Sequence, residues 1–78
     1  MELFDIIKTQ LDRAEASNEK TATFHYLVLK HADVLGQVDK YQFCEAVGMK
    51  ESFVAEFSKM INVSKIMKQR SVILALPL

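Results

Sequence analysis

The stretch around residues 38–48 constrains this chain most, because it fixes both the start and the stop of a helix. Asp39 is a good N-cap residue, and Gln42 three positions on completes a capping box. Val38 and Phe43 occupy the two positions of a hydrophobic staple. Phe43, Cys44 and Val47 form the inward side, and Gly48 stops the helix. A second helical pattern begins near Glu51 and buries Phe53, Val54, Phe57 and Ile61, with Met60 alongside. Two short helices joined by a tight glycine turn cannot close a core alone. The rest of the chain must supply helices to cover them.

The preceding residues have the right periodicity. Leu3, Ile7, Leu11 and Ala14 recur at helical spacing, with Asp5, Lys8, Asp12 and Arg13 on the other side, and predict an amphipathic first helix. Ser17 or Asn18 is expected to cap the next helix, which should run over 19–34. Its main stripe is Phe24, Leu27, Val28, His31 and Leu35; Ala22, Tyr26 and Leu29 lie opposite. Gly36 suits a left-handed position at its end. Beyond the central pair, Asn62-Val63-Ser64 reads as a break, with Ser64 capping a short helix over 65–69. Residues 71–76 read as extended, since Val72 and Ile73 are β-branched and Pro77 ends the run. The expected fold is all-α, with four to five short helices, a tri-helical core, a short C-terminal extended strand and one domain over residues 1–78.

Composition agrees. The 78 residues allow one core, and two glycines with one proline leave little room for long loops. The ten basic and ten acidic residues cancel, which argues against a strongly basic nucleic-acid binder. They are unevenly placed, however. Residues 1–39 carry four basic and seven acidic side chains, a net of −3; residues 40–78 carry six and three, a net of +3. Lys59, Lys65, Lys68 and Arg70 follow Ser58 with no acid among them. A single cysteine excludes an intramolecular disulfide. No signal-peptide pattern opens the chain, and the apolar run over 72–76 is too short to span a bilayer, so the expected location is cytoplasmic.

The spacing of Phe43, Cys44, Val47, Gly48, Met49, Val54 and Phe57 resembles that of helix-turn-helix DNA-binding proteins. Cys44 takes the small-residue slot and Gly48 is the turn glycine. The resemblance covers residues 40–60, and the whole chain is similar to small helix-turn-helix-like bacterial proteins. It implies that the second helix of the motif faces DNA through Lys50, Glu51, Ser52, Ala55, Glu56 and Lys59. Lys50 departs from the usual Ser or Thr cap. Glu51 and Glu56 are poor neighbours for phosphate, so phosphate contacts are expected from Lys50, Lys59, Lys65, Lys68 and Arg70.

Catalytic and metal chemistry finds little material. His25 and His31 are six residues apart and Cys44 thirteen further on, a spacing that places no two ligands on one helix face. His31 is expected to be packed and hydrogen-bonded, His25 exposed, and Cys44 a small buried residue beside Phe43 and Val47. Gly36 and Gly48 stand alone, so no glycine-rich phosphate loop exists. No enzyme, cofactor, metal or small-molecule substrate is expected. Two functions fit. The first is a homodimeric transcriptional regulator that binds double-stranded DNA. The second is a protein–protein interaction module of the same shape without DNA binding. For self-association the candidates are Tyr26 and Leu29, with Val72, Ile73, Leu74 and Leu76 in the extended segment.

Overall fold

The computed structural model describes residues 2–70. Five helices follow in order: α1 (Glu2–Ala16), α2 (Lys20–Lys30), α3 (Ala32–Leu35), α4 (Lys40–Ala46) and α5 (Phe53–Gln69). There is no strand among the described residues, and the all-α expectation stands. The extended segment expected over 71–76, with Val72, Ile73, Leu74 and Leu76, lies outside them.

α1 buries Ile7, Leu11 and Ala14, and Leu3 packs partly buried against the same core. Its end corrects the sequence reading of Ser17 and Asn18. Neither caps α2; both close α1. Asn18 adopts φ 61°, its N–H donates to the Glu15 carbonyl at 3.1 Å, and the Glu19 N–H donates to the Ala14 carbonyl at 2.8 Å. This paired closure satisfies carbonyls that a helix end leaves free, and Asn tolerates the left-handed region that it requires. α2 then starts at Lys20, with Glu19 in the N-cap position making no side-chain capping bond.

The helix expected over 19–34 is two helices. α2 ends at Lys30, His31 leaves helical geometry at φ −105° and ψ 21°, and α3 restarts at Ala32. No glycine or proline lies between Lys20 and Leu35 to signal the bend. The bend turns α3 across α5, where the Asp33 carboxylate pairs with Lys68. Gly36 is also corrected: it sits in the right-handed region at φ −64°, and a Cβ there would lie 3.0 Å from the Ala32 carbonyl. Close backbone approach, not handedness, is what glycine permits at this position.

α4 starts at the expected cap, although only the Asp39 half of the expected capping box forms, the Gln42 side chain returning no hydrogen bond among the described residues. The Asp39 carboxylate accepts from the Tyr41 N–H at 2.8 Å and the Gln42 N–H at 3.0 Å. Val38 packs against the core that Phe43 enters. Gly48 ends the helix at φ 75°; its N–H donates to the Glu45 carbonyl at 3.1 Å, and the Met49 N–H to the Cys44 carbonyl at 2.8 Å. Cys44 and Met49, at the two ends of that last bond, are both buried, which is the apolar contact such a closure favours.

α5 begins at Phe53 after a turn through Glu51 and Ser52 and runs unbroken to Gln69. The break expected at Asn62-Val63-Ser64 is absent, and the short helix over 65–69 is the end of α5. Ser64 caps nothing: its hydroxyl donates to the Ile61 carbonyl at 2.7 Å within the helix. A serine with a local carbonyl partner is tolerated mid-helix.

All five phenylalanines meet in one network. Phe43 lies 5.2 Å from Phe4, 6.1 Å from Phe24 and 5.1 Å from Phe57, while Phe53 stacks edge-on to Phe24 at 5.3 Å. Ile7, Leu11, Leu27, Val28, Leu35, Val47, Met49 and Val54 surround it. Phe43 therefore joins α1, α2 and α5 through α4. Offset and edge-on pairs of this kind add about 0.5–1.5 kcal/mol each beyond area burial. The chief consequence for function is that the α4–turn–α5 unit is packed on an α1–α2 platform.

Candidate nucleic-acid interface

The inward residues of α4 and α5 sit where the motif requires. Phe43, Val47, Val54 and Phe57 are buried, and Cys44 fills the small-residue slot at 2% exposure. Cys44 is a packing residue, and burial pushes its thiol pKa up, away from the thiolate that nucleophilic chemistry needs.

The outward side of α5 divides along its length. Ser52, Ala55 and Lys59, spaced three and four apart, are all exposed, as are Lys50 and Glu51 in the turn. On a helical repeat of about 100° per residue, Val63, Ile66 and Arg70 continue the same face. Val63 is 38% exposed and Ile66 51%. The basic run that follows Ser58 is therefore dispersed. Arg70 shares Lys59's face but lies about 16 Å further along the axis, beyond Val63 and Ile66. Lys65 and Lys68 point to other sides, and Lys68 pairs with Asp33 in an exposed ion pair. The four lysines and one arginine expected from sequence to contact phosphate, Lys50, Lys59, Lys65, Lys68 and Arg70, do not form one stripe.

Glu56 does not project from the face as a free acid. It is half-buried, with Oε1 3.1 Å from His25 Nε2 and Oε2 2.9 Å from Lys59 Nζ. The hydrogen bond from Lys59 holds its carboxyl below the usual range; desolvation opposes this, and His25 adds to the lowering. His25 is thus a half-buried partner on α2, not the exposed residue that the sequence indicated. No local signal could have shown this, because the two residues are 31 positions apart.

His31 also departs from expectation. Its Nε2 is buried but has no hydrogen-bond partner. Desolvation, with a smaller contribution from the charge of Lys30, holds its pKa below the ordinary value. Of the proposed self-association residues, Tyr26 and Leu29 are half-buried, and Tyr26 packs against the core cluster.

Three shallow grooves surround the motif. One of about 380 Å³ lies between Tyr41, Glu45 and Glu51 over a floor of Cys44, Met49 and Val54. A second, about 220 Å³, is lined by Gly36, Val38, Lys40, Phe57, Ser58, Ile61 and Asn62. The third, about 270 Å³, runs between Glu15, Lys20, Gly48, Met49, Lys50 and Phe53. Among the described residues no three His, Cys, Asp or Glu gather as metal ligands, and no helix is long and apolar enough to cross a membrane.

Two helices in helix-turn-helix relation on a helical platform define the class: a tri-helical helix-turn-helix fold. The family model described as the HTH-like domain matches residues 1–70, and the chain belongs to that family. Comparison with curated proteins and with solved structures returns no match.

Proposed function

We propose that this protein is a cytoplasmic, non-enzymatic DNA-binding regulator of helix-turn-helix type that acts as a homodimer. The first two turns of α5 are the reading element, entering the major groove of duplex DNA. One observation carries the reading: Glu56, the acid nearest the centre of that element, is already matched by Lys59 and His25. The face offered to DNA is then Lys50, Ser52, Ala55 and Lys59, with Glu51 as its one unmatched carboxylate. Hydroxyl and amine groups at these positions suit base edges and phosphates, and the small Ala55 allows close approach.

The test is fluorescence anisotropy with short duplexes across a salt series. Binding should weaken with rising salt, and Ala55→Glu should abolish it while leaving the helical spectrum intact, since Ala55 is exposed. No detectable duplex binding at low salt rejects the reading.

A second reading has its own support. The exposed Val63 and Ile66 favour a protein contact on the later part of α5, in self-association or with another chain. Ile66→Glu should then lower the mass measured by light scattering. A monomer for both chains at high concentration counts against the dimer.

A further inference from the structure

We infer that the phosphate-contacting residues of this domain are Lys8, Lys20 and Lys50, gathered around the turn between α4 and α5, and not the basic run after Ser58. The inference rests on the DNA-binding reading and names the groups that would hold the duplex backbone. Lys20 and Lys50 line one groove together with Gly48. Lys8 reaches the same turn from the middle of α1: its Cε and Nζ lie 3.9 Å from where a Cβ on Gly48 would stand. Three lysines from α1, the start of α2 and the turn itself thus converge where α5 begins.

Their present partners are weak competitors for phosphate. Lys8 pairs with Asp12 at 2.9 Å and Lys20 with Glu15 at 3.7 Å, both carboxylates being more than half exposed. Exposed ion pairs of this kind contribute little, so a lysine can exchange one carboxylate for a phosphate at small loss. Lys50 makes no ion pair among the described residues. When a helix enters the major groove by its N-terminal turns, the phosphates of the groove walls flank that end of the helix. The lysines around the turn stand beside the start of α5; Arg70 stands at its other end, and Lys65 and Lys68 face elsewhere. Position, not number of charges, separates the two sets.

The experiment measures the affinity of the full chain for a short random-sequence duplex against salt concentration. The variants are Lys8→Ala, Lys20→Ala and Lys50→Ala singly and together, with Lys65→Ala and Arg70→Ala as the comparison set. Each lysine of the first set should reduce the slope of log affinity against log salt by about 0.9, the value for one phosphate contact, while the second set leaves it unchanged. Thermal melts of each variant exclude unfolding as the cause. If the unaltered chain binds and the slope depends on Lys65 and Arg70 instead, the inference is overturned and the DNA-binding reading survives. If the unaltered chain does not bind the duplex, both fall.

Discussion

The two halves of α5 are one continuous helix built for different tasks. The first half buries Val54 and Phe57 inward and shows Ser52, Ala55 and Lys59 outward. The second half has no fully buried residue after Phe57 and carries Val63 and Ile66 on the outer face. The first half is fixed by the core that it completes. The second is tied to the fold by partly buried Met60, Ile61 and Met67, and by one ion pair to α3. Helical hydrogen bonds alone leave a short segment marginal in water, so the later turns depend on what packs against them. Motif geometry belongs to the first half, and capacity for a further contact to the second.

The sharpest way to break this comparison is to remove one apolar group from each half. Phe57→Ala should cost about 3–5 kcal/mol, enough to unfold a large share of a chain this small. Ile66→Ala should change stability by no more than about 0.5 kcal/mol in dilute solution. Equal effects in urea denaturation would show that the halves are not distinct. The turn ahead of the first half comes next. Gly48→Ala should cost about 1–2 kcal/mol, because φ 75° penalises any Cβ even though the nearest atoms of Lys8 leave room for it.

The helix starts differ by less. Asp39→Ala removes a carboxylate that accepts two backbone N–H groups and should cost about 1 kcal/mol. Ser52→Ala at the start of α5 should cost almost nothing, because the Ser52 side chain makes no capping bond there. Thermal melts resolve the two.

The smallest effects are in pH. Both His31 and Glu56 have lowered pKa values in the folded chain. Each therefore contributes its stability above its unfolded pKa and loses it as pH falls through the lower folded value. His31 should cause a decline beginning below pH 6.5, which His31→Leu removes; Glu56 should act only below about pH 4.5, and Glu56→Gln should flatten that limb. Stability that stayed level from neutral pH down through the acid range would contradict both assignments.

Local chemistry was read correctly around α4 and along the core stripes of the helices. Asp39, Val38 and Gly48 set the bounds of α4, and the 3.6-residue repeat identified Ile7, Leu11, Phe24, Leu27, Phe43 and Phe57 as core. The misreadings have two causes: Asn18, Gly36 and Ser64 keep local roles other than the ones their residue types suggested, whereas His25 and Glu56 take roles set across the fold. Asn18 and Ser64 looked like starts of helices because both are cap residues, yet one closes the preceding helix and the other bonds within its own. The bend at His31 has no breaker residue to announce it. In the candidate site, the exposed positions Lys50, Ser52, Ala55 and Lys59 follow from periodicity, and so does the dispersal of Lys65, Lys68 and Arg70 once α5 runs unbroken through Asn62-Val63-Ser64, but the fate of Glu56 does not.

The sequence by itself determined the helical class, the α4 caps, the glycine turn and the inward side of the motif. These depend on hydrogen bonds and apolar repeats between residues a few positions apart. Tertiary structure alone decided that His25 matches Glu56, that Asp33 and Lys68 stand side by side, and that Lys8, Lys20 and Lys50 meet at one turn. Those outcomes depend on which helices lie side by side. Charges distant in the chain interact only when packing of the apolar core brings them within a few ångströms, and a list of charges carries no such distances.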